Sequence, residues 1–276
     1  MSAPSRAGEL AGQIAIVTGA GRGFGRAIAL RFAAEGAAVT LTARTASQLE
    51  SVAQEIRAAG GRSLAVPGDV TRATDVDRVV GETERQLGAP SLLVSNAGVP
   101  GPFGPLWTVP GDEWWAAQQV HILAPFRYLQ RVLPGMTERR AGRVIIVSAK
   151  ATRIVAPYLS AYCVGKIAQT RLTAQAAAEA REFGVCVFAI DPGFVFTGIA
   201  EETMNSPQAQ RWLPGMVQRL REQSRSPERD RDLARCAQRC VDLASGRYDI
   251  LSGGYMELDD DLAAMSAQAR TAGAPA

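Results

Sequence analysis

The sequence predicts a single α/β domain built on a doubly wound parallel sheet with helices on both faces. Short apolar runs alternate with helix-length amphipathic segments from residue 12 to residue 262. Strands that are buried on both faces of a parallel sheet have such continuous apolar runs. No repeat, linker or low-complexity segment divides the chain, and 276 residues with 47% hydrophobic residues suit one full-sized domain.

The first strand, turn and helix carry the most specific pattern. Residues Ile14 to Val17 predict a buried strand, and Phe24, Ile28 and Phe32 then recur on one face of a predicted helix. Glycines let the backbone approach a ligand closely, and a helix N-terminus offers free N–H groups to a phosphate. This unit therefore predicts a binding site for a dinucleotide pyrophosphate. The turn contains Gly19, Gly21, Gly23 and Gly25.

The rest of the chain continues the alternation of strands and helices. Further strands are predicted at residues 39–42, 63–66, 92–94, 144–147, 185–190 and 255–258, and helices at 46–59, 73–87, 112–139, 158–183 and 227–243. The arginine-rich segment from Asp191 to Ser226 is predicted to be irregular. Residues 1–11 are predicted to form a flexible arm and residues 263–276 a frayed tail, so that the folded domain spans residues 12–262.

The composition argues against several classes of function. A net charge of +3 does not indicate nucleic-acid binding, and no apolar window reaches the length of about 18 residues that predicts a membrane span. The N-terminus lacks the apolar core of an export signal. Four cysteines without metal-ligand spacing and a single histidine indicate reduced thiols and no metal site. We therefore expect a cytoplasmic protein that spans no membrane and binds no nucleic acid.

The glycine turn and later elements resemble one protein family. Residues Thr18 to Gly25 read T-G-x-x-x-G-x-G, residues 95–98 read S-N-A-G, and residues 192–197 read P-G-F-V-F-T. In this order they resemble elements of the short-chain dehydrogenase/reductase family, over Leu10 to about Leu258. The resemblance implies a Rossmann-like fold, a substrate lid at about 194–226 and a homo-oligomer, a dimer or tetramer. The cofactor-binding residues expected from the resemblance and from charge are Gly19, Gly21, Arg22, Gly23, Phe24, Gly25, Arg44, Asp69, Val70, Asn96, Ala97, Gly98, Tyr162, Lys166, Pro192, Gly193, Val195 and Thr197.

The end of the second predicted strand indicates which dinucleotide binds. Sites for NAD usually place an acidic residue there to accept hydrogen bonds from the ribose hydroxyls. This chain has Ala43 followed by Arg44, and an arginine attracts the 2′-phosphate that an acid would repel. Arg22, inside the glycine turn, is a second cation within reach. The sequence therefore favours NADP(H).

Tyr162 and Lys166 match the Y-x-x-x-K motif of the same family. Residues four apart on a helix lie on one face, one turn from each other. A neighbouring ammonium is expected to favour the phenolate and so to lower the pKa of the tyrosine. Tyr162 could then exchange a proton with a carbonyl oxygen while a hydride moves to or from the nicotinamide.

The serine position of the family differs in this chain. The usual spacing to the tyrosine places that serine at Ala149, leaving Ser148 one residue earlier. Adjacent residues on an extended strand point to opposite faces. Either the serine hydroxyl is missing, or the backbone is shifted so that Ser148 faces the nicotinamide. We favour the shifted register, because a complete Tyr/Lys pair is not expected next to an oxyanion site that lacks its serine hydroxyl.

The only histidine replaces the family's helical asparagine, at Val120-His121-Ile122. An imidazole can hydrogen-bond as an amide does and also titrates near neutrality, so His121 could take part in the proton path or simply be packed.

The resemblance implies an NADP(H)-dependent oxidoreductase that interconverts a carbonyl and an alcohol. The alternatives are non-redox chemistry on the same fold, such as isomerisation or elimination, and a catalytically weak NADP(H)-binding protein.

Overall fold

The computed structural model describes residues 8–196, 198–226 and 230–273. Its strands are β1 (Ile14–Thr18), β2 (Ala38–Thr42), β3 (Arg62–Ala65), β4 (Leu92–Ser95), β5 (Gly142–Val147), β6 (Val185–Ile190) and β7 (Tyr255–Met256). They form one sheet in the order β3-β2-β1-β4-β5-β6-β7, in which every neighbouring pair is parallel. The predicted fold class is confirmed. The chain changes direction across the sheet between β1 and β4, and open α/β sheets bind ligands at the carboxyl ends of strands at such a point.

Helices cover both faces of the sheet. They are α1 (Gly23–Ala34), α2 (Ala46–Ala58), α3 (Ala73–Gln86), α4 (Gly111–Gln118), α5 (Ala124–Glu138), α6 (Ser160–Ala180), α7 (Gly198–Asn205), α8 (Pro207–Trp212), α9 (Pro214–Ser224), α10 (Arg231–Ala244) and α11 (Leu262–Thr271). Among the described residues, no helix combines the length and the apolar character that crossing a membrane requires.

Each face of the sheet carries its own hydrophobic core. In β1, Ala15 and Val17 belong to one core and Ile16 to the other, because successive side chains of a strand point to opposite faces. Phe32 of α1 lies in the first core and Tyr128 of α5 in the second, and both are fully buried or nearly so. The two cores fix the sheet between its helix layers.

Both predicted ends of the domain are more ordered than expected. Leu10 is 0% exposed, and its backbone N–H donates to the carbonyl oxygen of Glu35 at 2.9 Å. The flexible-arm prediction is therefore wrong for residues 8–11, while residues 1–7 lie outside the described part. The frayed-tail prediction is wrong for residues 263–271, which belong to α11. Its N-terminus is capped by the Asp261 carboxylate, which accepts from the N–H groups of Ala263 and Ala264.

Two internal predictions also need correction. The predicted helix at 112–139 is interrupted, because a π-helical segment at Gln119–Leu123 joins α4 to α5. Single π turns inside helices often occur at functional sites. The segment predicted to be irregular contains α7, α8 and α9. Pro207 and Pro214 occupy first-turn positions of α8 and α9, where proline is compatible with a helix.

Candidate active site

A cleft of about 780 Å³ opens at the carboxyl ends of β1, β2 and β4. One wall is the glycine turn between β1 and α1, and another comes from α7 through Gly198, Ile199 and Glu202. The predicted cofactor-binding residues that line it are Gly19, Gly21, Arg22, Gly23, Phe24, Arg44, Asp69, Val70, Asn96, Ala97 and Gly98.

The glycine turn is closed tightly against the end of β4. A Cβ atom on Gly19, whose φ is +66°, would lie 2.8 Å from Nδ2 of Asn96, and one on Gly25 would lie 2.3 Å from the carbonyl oxygen of Gly19. The Thr18 hydroxyl accepts from the backbone N–H groups of Asn96 and Ala97 at 2.9 and 3.0 Å. Side chains at these glycines would fill the turn. The cradle therefore fits a ligand that approaches the backbone closely, as a dinucleotide pyrophosphate does.

The two arginines that line the cleft differ in their pairing. Arg44, the second residue after β2, is exposed and makes no ion pair within the described residues. Arg22, in contrast, donates to Oε1 of Glu202 on α7 at 2.8 Å. Asp69 is engaged locally, because its Oδ1 accepts from the N–H and the hydroxyl of Thr71. Arg44 is thus the arginine in this region whose charge is left for a ligand.

The first turn of α6 backs the wall of the cleft. A Cβ on Gly101, a cleft residue, would lie 3.0 Å from Cβ of Ala161 and 3.8 Å from the backbone nitrogen of Tyr162. Tyr162 also packs against the apolar cluster that joins Phe103 and Leu159 to α8 and α9, helices of the segment expected to form a lid. Its hydroxyl has no hydrogen-bond partner within the described residues. Tyr162 therefore lies between the cleft wall and the cluster that includes α8 and α9.

Lys166 lies beside Tyr162 in a buried environment. Its Nζ is 5.7 Å from the centre of the Tyr162 ring and donates to the carbonyl oxygen of Val147 at 2.9 Å and to Oε1 of Gln169 at 3.2 Å. Burial lowers the pKa of Lys166 to about 7 and, together with Asp191, raises the pKa of Tyr162. The expected lowering of the tyrosine pKa is therefore not found, because desolvation disfavours both charged forms. A protonated phenol at neutral pH is suited to donate a proton.

Ser148 is held by the packing of β5 against α6. It is 2% exposed, and its hydroxyl donates to the carbonyl oxygen of Lys166 at 3.0 Å. The expectation that a shifted register frees Ser148 for the nicotinamide differs from this arrangement. Ala149 follows in an extended conformation, with φ −169° and ψ 160°, and supplies no hydroxyl. The alternative in which the serine position holds an alanine is compatible with this geometry, and which residue serves the nicotinamide stays a prediction.

His121 lies in the π-helical segment and contacts Tyr162. Its ring meets the Tyr162 ring edge to face, with centroids 5.6 Å apart and planes at 88°. Nε2 lies 2.9 Å from the carbonyl oxygen of Val99, so this nitrogen carries the proton and donates it. Burial, and secondarily Lys166, lowers the pKa of His121 to about 3. A buried imidazole that is neutral near pH 7 fits the packed alternative better than the proton path, and its role stays a prediction.

The close packing of His121 requires a glycine on α6. A Cβ on Gly165 would lie 2.6 Å from Cβ of His121. On the cleft side, a Cβ built on Gly98 would lie within 4 Å of both Nζ of Lys166 and Cε1 of His121. Gly98 therefore separates the cleft from both buried side chains. Nδ1 of His121 is buried without a hydrogen-bond partner.

We expect His121 to make the stability of the protein fall in mild acid. The unfolded chain takes up a proton near pH 6.5, whereas the native state takes it up only near pH 3. The stabilisation is complete above pH 6.5 and is lost as the pH falls towards 3, by roughly 2 to 3 kcal/mol between pH 6.5 and about 4.5. Urea unfolding at several pH values measures this loss. His121→Asn should flatten the profile in this window, and an equally steep profile in that variant would contradict the assignment.

The described residues of the element after β6, Pro192 to Phe196, do not line the cleft. Pro192, Gly193 and Val195 do not line it, and Val195 is buried. Gly193 has a φ of +80°, and the next N–H, of Phe194, donates to the Asp232 carboxylate at 3.1 Å. Thr197 lies outside the described residues. The expected cofactor contacts of this element thus remain a prediction.

Sequence reasoning missed two acidic residues of the cleft. Glu113 from α4 and Glu202 from α7 line it, and no local pattern marks either one, because each reaches the cleft only through tertiary packing. No three His, Cys, Asp or Glu side chains of the described residues come together as metal ligands would.

Comparison with known proteins identifies the family. Residues 13–208 match the family model described as short chain dehydrogenase. The chain therefore belongs to the short-chain dehydrogenase family, whose members are hydride-transferring oxidoreductases. A short chain dehydrogenase of Pseudocercospora fijiensis is 33% identical over 277 residues, which cover 98% of this chain and 88% of that protein.

Two solved structures share the fold over most of their length. NAD⁺-bound xylitol dehydrogenase aligns with a TM-score of 0.80 and 25% identity, over 90% of this chain and 98% of that one. A metagenomic short-chain oxidoreductase in complex with NADP aligns with a TM-score of 0.64 and 37% identity, over 68% and 85% of the two chains. Neighbours in the family thus bind either nicotinamide dinucleotide.

Proposed function

We propose that this protein is an NADP(H)-dependent oxidoreductase that interconverts a carbonyl and an alcohol, with Tyr162 as the acid and base. The observation that carries the proposal is the Tyr162–Lys166 pair on α6, placed behind the wall of a cleft whose glycine turn fits a dinucleotide. A protein that only bound the dinucleotide would need no such pair. An assay of NADPH oxidation against a panel of ketones tests the proposal.

The protein side chains are needed only for the proton transfer, because a bound nicotinamide would supply or accept the hydride. In reduction, the Tyr162 hydroxyl donates its proton to the carbonyl oxygen as the carbonyl carbon gains the hydride. In oxidation, the same oxygen takes the proton back. Burial raises the pKa of Tyr162, which keeps the phenol protonated and ready to donate. Lys166, in its protonated form, provides positive charge beside the tyrosine, and His121 holds the tyrosine ring by its edge-to-face contact.

The preference for NADP(H) rests on Arg44. An arginine and no acid follows β2 at the cleft, and a guanidinium forms charge-assisted hydrogen bonds with a phosphate. We expect NADP(H) to bind at least about tenfold tighter than NAD(H), which is about 1.4 kcal/mol. Arg44→Ala should remove most of that ratio.

Titration of both cofactors by calorimetry measures the ratio. Arg62→Ala is a matched control, because Arg62 is an exposed arginine on the edge strand β3 that does not line the cleft. Equal affinities in the wild type would contradict the assignment, as would a ratio that Arg44→Ala leaves unchanged.

We also propose that the protein self-associates. Large apolar side chains are exposed on the helices that follow β4 and β5, and the burial of such a surface favours association. The members of this set are Trp115 of α4, Phe126 of α5, and Val164 and Ile167 of α6. A homo-oligomer that joins these helices would cover these side chains.

We also propose a reducing compartment such as the cytoplasm. The cysteines Cys163, Cys186, Cys236 and Cys240 are all free thiols, which supports this proposal.

A further inference from the structure

One ion pair connects the glycine turn to the lid. Arg22 lies between β1 and α1, and Glu202 lies 180 residues later on α7; their Nη2 and Oε1 atoms are 2.8 Å apart. The two side chains are 52% and 47% exposed, and both line the cleft. The pair therefore joins two walls of the site through groups that solvent and ligands can reach.

The guanidinium of Arg22 also lies against the backbone of the lid. A Cβ on Gly198, the first residue of α7, would lie 2.0 Å from Cζ of Arg22. No side chain could occupy that position while Arg22 keeps its place. Glycine at 198 thus lets Arg22 lie across the start of α7 and reach Glu202.

This arrangement places a carboxylate where the proposed ligand brings phosphates. Arg22 belongs to the turn that fits the pyrophosphate, and in this structure its charge is already engaged by Glu202. A carboxylate and a phosphate repel each other across the same cleft. A dinucleotide that recruits Arg22 must therefore displace Glu202 or share the guanidinium with it.

We propose that Glu202 is an affinity-determining residue that competes with the cofactor phosphates for Arg22, and that the Arg22–Glu202 pair anchors α7 to the glycine turn in the cofactor-free protein. The inference rests on the proposed function, because it needs a dinucleotide in the cleft. Loss of the Glu202 charge should therefore strengthen cofactor binding, whereas loss of Arg22 should weaken it. Either change should loosen α7 in the cofactor-free protein.

The affinity test uses three variants and NADP⁺ titrated by calorimetry. Glu202→Gln should tighten binding by about two- to fivefold, the range for an exposed charge pair, and Arg22→Ala should weaken it. Glu201→Gln is the matched control, since it removes the same charge from an exposed neighbour on α7 that does not line the cleft, and it should leave the affinity near that of the wild type. Weaker or unchanged binding by Glu202→Gln would overturn the competition, as would equal tightening by Glu201→Gln.

The lid test needs no cofactor. Amide hydrogen exchange of residues 198–205 in the cofactor-free protein should be faster in Glu202→Gln and in Arg22→Ala than in the wild type, and the double variant should exchange no faster than either one. Unchanged exchange in both single variants would overturn the anchoring role. If the wild type binds neither NADP⁺ nor NADPH, the proposed function fails and the competition fails with it. If the wild type binds but Glu202→Gln gains nothing, the competition alone fails.

Discussion

Tyr162→Phe is expected to reduce turnover by on the order of 100- to 10,000-fold, the range for loss of a positioned general acid, while NADP(H) binding stays close to that of the wild type. The change removes one hydroxyl and leaves the ring, so the contacts with His121 and with the apolar lid cluster persist. Only the proton donor at the carbonyl oxygen is lost.

Steady-state kinetics and cofactor titration on the same preparation separate the two effects. Tyr248→Phe is a suitable control, because it removes a phenol that packs against the first core and does not line the cleft. It should keep full activity. If Tyr162→Phe retains most of the wild-type rate, another group moves the proton and the proposed mechanism is wrong.

Ala149→Ser is expected to raise the rate of carbonyl reduction by up to about 100- to 1000-fold, the effect of one hydrogen bond to a developing oxyanion. In the structure the Ser148 hydroxyl is engaged by the Lys166 carbonyl, and Ala149 leaves the next position without a donor. Adding a hydroxyl there would let two groups stabilise the alkoxide in place of Tyr162 alone.

Ser148→Ala provides the comparison for this gain. That variant should lose a buried hydrogen bond and some stability but little of the rate measured on folded protein. The opposite order, with Ser148→Ala inactive and Ala149→Ser unchanged, would restore the shifted register. If neither variant changes the rate, a different group stabilises the developing alkoxide oxygen, and His121→Asn becomes the next variant to assay.

The sequence was sufficient to predict the sheet and the glycine turn, because both follow from local patterns. Apolar runs predicted each strand, and the spacing of four glycines predicted a turn whose tight contacts with Asn96 the structure then displays. The Tyr162–Lys166 pair follows equally directly, since helical geometry alone places residues four apart on one face.

What the sequence could not supply depends on contacts between distant segments. Arg22 reads as a free cation, and only the fold brings Glu202 to it. His121 reads as a group that titrates near neutrality, and only burial against Gly165 and Lys166 lowers its pKa to about 3. Local patterns predict an irregular segment where the structure has α7, α8 and α9. Apolar residues there, such as Val217, pack on Phe103 and Leu159 from elsewhere in the chain, and no local pattern indicates such contacts.

The most direct test of the proposed reaction follows the hydride itself. Purified protein is incubated with NADPH that carries deuterium at its transferable position, together with a panel of ketones, and each product is analysed by mass spectrometry. The proposal predicts loss of the reduced nicotinamide's absorbance matched by one deuterium on the carbinol carbon of the alcohol, and neither change with Tyr162→Phe. Substrate consumed without deuterium in the product, or NADPH bound but never oxidised across the panel, would contradict it.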